Sequence, residues 1–371
     1  MQIPPMRVHF SEEDRREILQ RIDTCLKTGQ VAQGPNVQEM EDQFAGLVGV
    51  RHAVAISSGG AAIQVAMRIL GVEDKLVLAP TNTFLATVSG VLLEGGRVKL
   101  VDISRETFSP SLATLQAAYT DDTAGVILVH VGGIVTPEIE RIRQWCDSMG
   151  IWLFEDCAHA HGSRHAGVHA GRFGRAAAFS FFATKVVTSG EGGMIVTEDD
   201  AFALRARRLR DYGKESQWIT HNVELGANWR MSELCAAVGL VHLRSLQAFI
   251  DSRSHAARIY TEALAQCPEI ELVLPQGVSS WYKYIVLLPP HVDRDDLKQR
   301  MQARGVRLSG GVYDTPLHRQ PVFAGYAGHF PIADDVCRRH ICLPLYHEMR
   351  EDEARYVVEV LSACLEEGAV R

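Results

Sequence analysis

Between His52 and Phe182 the chain alternates short apolar runs with stretches whose apolar residues recur at helical spacing, and few folds accept that pattern. His52–Ile56, Lys75–Pro80, Val98–Ile103, Ala124–Val131, Ile151–Phe154 and Ala176–Phe182 read as strands. Helices are expected from Ala61 onward, over Thr83–Leu93, over Ser111–Tyr119 and over Pro137–Met149. Strands this apolar need cover on both faces, which indicates a mainly parallel sheet between helical layers. The expected fold class is therefore α/β, a three-layer αβα arrangement. Such sheets bind ligands beyond the carboxyl ends of their strands, where Ser58, Thr83, His130, Asp156 and Lys185 would gather.

The flanks complete the plan. Ser11–Thr28 reads as a helix with Ser11 as N-cap, and Val37–Val48 as a second. Downstream come a strand at Gly193–Thr197, a helix at Asp199–Tyr212 and one long helix from Ser232 to Ala265. Tyr282–Leu288 is strand-like, while Arg294–Arg304 and Glu351–Leu365 are helical. These elements divide into a large domain over 1–240 and a smaller α+β domain over 241–371.

Composition excludes several functions. A formal charge of −7 without a long basic block argues against nucleic-acid binding as the main activity. No run approaches the roughly 20 apolar residues of a membrane span. Met1-Gln2-Ile3-Pro4-Pro5 lacks the features of a signal peptide, and the eight cysteines are scattered without paired spacing. A cytoplasmic protein with reduced thiols is the expectation. His161, His165 and His169 are spaced like helical metal ligands, but Gly162 and Gly167 would break the helix, and no metal site is expected.

Two stretches point to chemistry. Ser57-Ser58-Gly59-Gly60 turns from a strand into the helix beginning at Ala61. Glycines admit close approach, and first-turn N–H groups lack helical partners, so Gly59, Gly60 and Ala61 suit an anion such as a cofactor phosphate. From Asp156 to Gly193 an acid ends one apolar run, and Lys185 follows the next inside apolar sequence. Burial makes a lysine amine more nucleophilic. That pairing suits an aldehyde cofactor with a ring nitrogen, as in pyridoxal phosphate enzymes.

The order Glu155-Asp156, Ala158-His159-Ala160-His161-Gly162, Phe179-Ser180-Phe181, Lys185 and Gly190-Glu191-Gly192-Gly193 resembles the DegT/DnrJ/StrS sugar aminotransferases. Leu225–Glu233, Tyr313–His318 and Leu343–Tyr346 resemble three later segments of that family. Gly60 stands where threonine is usual, Ala227 where tyrosine is usual, and the His130–Gly133 loop departs from the common pattern.

The resemblance implies fold type I of the pyridoxal phosphate transferases, with Lys185 as the Schiff-base residue and Asp156 on the ring nitrogen. It implies that His159 lies near the ring hydroxyl, Phe84 stacks on the ring and Ser180 meets the phosphate. It places Asn228 on the phosphate of a neighbouring subunit, hence a homodimer with shared active sites. Arg230, Tyr313 and His318 are candidates for substrate contacts. L-glutamate is the implied donor and a nucleotide-linked keto-sugar the implied acceptor, with a keto-cyclitol as the competing acceptor and a non-catalytic binding protein as the competing class.

Overall fold

The computed structural model describes residues 1–216, 219–326 and 328–369, the side chains of 368 and 369 excepted, so positions 370 and 371 of the expected small domain lie outside the described residues. In chain order the strands begin with β1 (His52–Ile56), β2 (Leu76–Pro80), β3 (Arg97–Val101), β4 (Thr123–Val129) and β5 (Trp152–Asp156). A two-residue ribbon follows, β6 (Arg164–His165) with β7 (Val168–His169). Next come β8 (Ala176–Ser180) and β9 (Gly193–Thr197), then β10 (Glu271–Val273), β11 (Tyr284–Leu287) and β12 (His340–Leu343).

The central sheet runs β1-β9-β8-β5-β4-β2-β3. Its pairs are parallel from β8 across to β3, and β9 runs antiparallel to both of its neighbours. Side chains alternate across a strand, and both faces are buried here. Val54, Ile56, Ile127 and Val129 pack into one core with helix Gly59–Leu70, while Ala53, Ala55, Val126 and Leu128 pack into another with helix Pro35–Val48. The three-layer α/β expectation holds.

A second, antiparallel sheet of β10, β11 and β12 lies under helices Leu246–Leu264 and Glu351–Ala369, with Tyr260, Tyr284 and Leu361 in its core. The single long helix expected from Ser232 to Ala265 is instead two helices, Glu233–Arg244 and Leu246–Leu264, bent by 55°. At Ser245 the backbone N–H bonds to His242 O, a tightened turn that ends the first helix. Apolar spacing continues through the bend, so periodicity alone could not reveal it. Among the described residues no single helix is long and apolar enough to cross a membrane.

One buried carboxylate sets the geometry beneath the sheet edge. Glu155 is fully buried and accepts from His130 Nε2 at 2.9 Å and from the N–H groups of Gly171, Phe173 and Gly174 at 2.7–2.8 Å. These bonds tether the loop that returns the chain to β8. Its neighbour Asp156 points to the opposite face by strand alternation. Replacing Glu155 with leucine would leave four buried donors without an acceptor, at about 1–3 kcal/mol for each. Chemical denaturation of Glu155→Leu should show a loss of at least about 3 kcal/mol; a loss under 1 kcal/mol would discount the tether.

Candidate active site

The carboxyl ends of the strands open into a cavity of about 600 Å³ lined by Ser58, Gly59, Gly60, Phe84, Asp156, His159, Ser180, Lys185 and Tyr313, among others. A larger cleft of about 1010 Å³ runs along helix Glu12–Thr28. Its Arg21 is paired with Glu17 and with Glu39 beyond the cleft, and it holds none of these side chains. The smaller cavity is the one with chemistry.

Its floor is the first turn of helix Gly59–Leu70. Ser58 caps that helix, and its Oγ accepts from Ala61 N–H at 3.1 Å. The N–H groups of Gly59 and Gly60 have no intrahelical partner by the geometry of a first turn. A Cβ on Gly59 would stand 2.7 Å from Ser180 Cβ, so only glycine lets the turn approach the end of β8 this closely. Two amides and a serine hydroxyl at a helix N-terminus fit a phosphate group. Ala61, also expected to bind there, has its amide engaged by Ser58. At Gly60 an added Cβ would meet only ordinary contacts, the nearest at 3.4 Å, so sterics do not demand glycine.

Asp156 ends β5, where its Oδ2 accepts from Thr87 Oγ1 at 2.7 Å and its Oδ1 from Ala158 N–H at 3.1 Å. Thr87 spends its proton on Asp156, so Thr83 Oγ1, at 2.7 Å, donates to Thr87. This relay holds the carboxylate in one orientation. His159 stacks on Tyr282, with ring centroids 4.2 Å apart, and its Nδ1 accepts from Gly132 N–H at 3.3 Å. That bond leaves the proton on Nε2, which faces the Tyr313 hydroxyl at 3.5 Å. Burial, aided by the charges of Lys185 and Lys283, holds the His159 imidazole well below its usual range, so the ring is neutral. Burial and the nearby Asp156 charge push the Tyr313 hydroxyl well above its usual range.

Lys185 follows β8 by five residues, and its Nζ lies 4.8 Å from the centroid of the Tyr282 ring. Burial lowers its pKa to about 8; Asp156 pulls it up and Lys283 pushes it further down. Phe84 sits at the head of helix Leu85–Leu93, 61% exposed, with its ring 6.2 Å from that of Tyr313.

Three candidates lie elsewhere. His318 bonds Thr81 Oγ1 through Nδ1 at 2.7 Å and Asp334 through Nε2 at 2.9 Å, so both ring nitrogens are spent on joining helix Pro331–Arg339 to the end of β2. Arg230 pairs with Asp211 at 2.5 Å and lies over Tyr212. Asn228 is exposed, on a strand-like bridge to Asp211, and does not line the cavity. His161 sits edge-on to Phe179 and Phe44, and burial lowers its pKa to about 3.

Sequence reasoning missed Tyr282 and Lys283. They enter because the segment before β11 is clamped to the loops that follow β4 and β5. Ser279 Oγ donates to Gly133 O, Ser280 Oγ to His159 O, and Ser163 Oγ accepts from Ser280 N–H. Gly133, at φ +94°, makes room: a Cβ there would lie 2.2 Å from Ser280 Oγ. Tyr313 is placed similarly, with Asn82 accepting its N–H at 3.0 Å and donating to Val312 O at 3.2 Å. The only advance signals were the unusual His130–Gly133 loop and a lysine between two tyrosines.

This geometry agrees with what the chain is similar to. The model of the DegT/DnrJ/EryC1/StrS aminotransferase family matches residues 12–362. The chain belongs to this family. It is 34% identical over 370 residues to a dTDP-4-dehydro-2,3,6-trideoxy-D-glucose 4-aminotransferase of Saccharopolyspora spinosa, covering 94% of each chain. It is 33% identical over 366 residues to a UDP-N-acetyl-3-dehydro-alpha-D-glucosamine 3-aminotransferase of Acidithiobacillus ferrooxidans, covering 97% of this chain and 96% of that one. Among solved structures, S. venezuelae DesV in complex with a ketimine intermediate superposes with a TM-score of 0.91 at 30% identity, over 100% of this chain and 99% of that one. The protein is an aminotransferase of the pyridoxal phosphate type.

With a pKa near 8, Lys185 is roughly half neutral at pH 8, against well under 1% for an unperturbed lysine. Reductive methylation of the cofactor-free protein with labelled formaldehyde, followed by an NMR titration, should give one lysine resonance with a midpoint near 8, absent from Lys185→Ala. A midpoint above that of the surface lysines would contradict the burial argument.

Proposed function

We propose that this aminotransferase moves an amino group from L-glutamate to a nucleotide-linked keto-sugar, in a homodimer whose subunits share their active sites. The reading is carried by one observation: Lys185, Asp156, His159, Ser180 and the Gly59–Gly60 turn converge on a single cavity. Pyridoxal phosphate, bound there, supplies an aldehyde that condenses with amines and a ring that accepts the electrons of the donor's broken C–H bond.

The residues have distinct tasks. The Gly59 and Gly60 amides and the Ser180 hydroxyl hold the phosphate. Asp156, fixed by Thr87 and Ala158, is the carboxylate that would hold a ring nitrogen in its protonated form. Lys185 is the amine that would hold the aldehyde and, when free, would take up and return a proton at its Nζ. With both its forms populated near pH 8, it is matched to taking and returning that proton. His159, neutral, offers its Nε2–H as a donor near the ring hydroxyl and the Tyr313 side. Phe84 supplies an exposed aromatic face for stacking.

The dimer explains Asn228. It projects from a loop bearing the exposed Ile219, Val223 and Leu225, the last 85% exposed, a surface suited to burial by a second subunit. Crossing that interface would carry Asn228 to the partner's phosphate. Arg230, tied to Asp211, then braces the loop. Amino-sugar biosynthesis in the cytoplasm is the setting this activity suits.

The test uses purified protein loaded with pyridoxal phosphate. L-glutamate should convert the absorption of the bound aldehyde to that of the aminated cofactor and release 2-oxoglutarate, and Lys185→Ala should do neither. Failure of the wild type with glutamate would overturn the donor assignment, and turnover of keto-cyclitols in place of nucleotide keto-sugars would overturn the acceptor. Sharing of sites is tested by mixing. Asn228→Ala should weaken cofactor retention, and hybrids with Lys185→Ala should regain one working site per dimer. No regain on subunit exchange would refute a shared site.

A further inference from the structure

A second cavity lysine has no task in that scheme. Lys283 lines the same cavity as Lys185, and its Nζ lies 5.1 Å from the centroid of the Tyr282 ring, the ring that Lys185 approaches to 4.8 Å. The two ammonium groups therefore share one aromatic neighbour. Lys283 Nζ donates to the Ser309 hydroxyl. An ammonium has three N–H donors, so two remain for a ligand.

No carboxylate is among the charges that act on Lys283. The Cys342 thiol favours its charged form, while burial and Arg253 oppose it. The backbone cannot carry the group away, because Lys283 N–H is bonded to Gly132 O at 3.3 Å and Ser280 is clamped to His159 O. A half-buried ammonium without a counter-ion is costly. Asp156, the buried acid of the cavity, has its oxygens engaged by Thr87 and Ala158. An anion that arrives with the ligand would repay the cost through short, charge-assisted bonds. The helix turn at Gly59 and Gly60 already accounts for a phosphate, so a carboxylate is the group left for Lys283.

We propose that Lys283 anchors a substrate carboxylate, from the amino-acid donor or from an acidic group on the acceptor, and so sets the reacting carbon beside Lys185. This rests on the aminotransferase reading above. Lys283 is a specificity residue: it selects acidic substrates and carries no proton in the reaction. A bound carboxylate also neutralises the charge that depresses Lys185, so anion binding raises the proton affinity of the Lys185 amine.

The experiment compares the wild-type holoenzyme with Lys283→Met and Lys283→Arg, each first shown to melt and to retain cofactor like the wild type. L-glutamate is titrated into the loaded form and 2-oxoglutarate into the aminated form, with absorption as the readout. A donor anchor predicts at least a ten-fold weaker half-saturation for both in Lys283→Met, an unchanged limiting rate, and partial recovery in Lys283→Arg. An acceptor anchor predicts normal glutamate and 2-oxoglutarate titrations, with the ten-fold loss confined to nucleotide-linked keto-uronic acids and absent for their neutral counterparts. Either result supports the assignment, and no loss with any acid overturns it. A merely structural lysine would not give a loss confined to acidic ligands with the limiting rate kept, and arginine would not restore it. If the wild type binds 2-oxoglutarate by calorimetry in a Lys283-dependent way yet fails to transaminate, the anchor stands and the aminotransferase donor reading falls.

Discussion

An ammonium and a carboxylate have to coexist in a cavity that is only partly wet, and the surrounding structure is organised to keep both there. Asp156 retains its orientation through Thr87 and the Ala158 amide, with Thr83 behind Thr87. Lys185 feels opposite pulls: burial and Lys283 lower its proton affinity, Asp156 raises it, and the balance near pH 8 leaves an amine reactive enough to attack an aldehyde. Either charge alone would be expensive to bury. In one cavity, each offsets part of the cost of the other.

The site also depends on a junction. Strand ends of the central sheet supply Asp156, Ser180 and the turn at Gly59, while Tyr282, Lys283 and Tyr313 come from segments at and beyond β11. Serine hydroxyls, backbone carbonyls and the Asn82 side chain join the two, and Asp102 strengthens the join by accepting from the first-turn amides of Ile332 and Ala333. Such bonds are directional, so the walls of the cavity have little freedom to shift relative to its floor. His318 belongs to this junction, with its two nitrogens bridging Thr81 and Asp334.

Family membership fixes the reaction type, and departures from the common pattern mark where this chain can differ in substrate. Gly60 brings no side-chain hydroxyl to the turn, and the hydroxyls of Ser58 and Ser180 lie beside it. The His130–Gly133 loop is the more consequential change. Its two glycines, both at positive φ, let the segment carrying Tyr282 and Lys283 lie directly against it. Lys283 then lies in a cavity whose size is suited to a small ligand.

Much was legible along the chain because it depends on local pattern. Apolar runs of strand length separated by helical periodicity specify a covered parallel sheet, and the strand ends follow with Asp156 and Ser180 on them. Glycine at the head of a helix leaves first-turn N–H groups open to an anion, a feature visible in the sequence. The bend at Ser245 was hidden because apolar spacing runs through it unchanged. Lys283 and Tyr282 were hidden because they reach Lys185 across about a hundred residues of chain, through serine clamps that no periodicity encodes. The sequence by itself determined the sheet, the glycine turn at the head of the helix and the acid and lysine at two strand ends, since each follows from neighbours in the chain. Tertiary structure alone decided which distant side chains complete the cavity and how far Lys185 is stripped of water, because burial and field are properties of everything packed around a group.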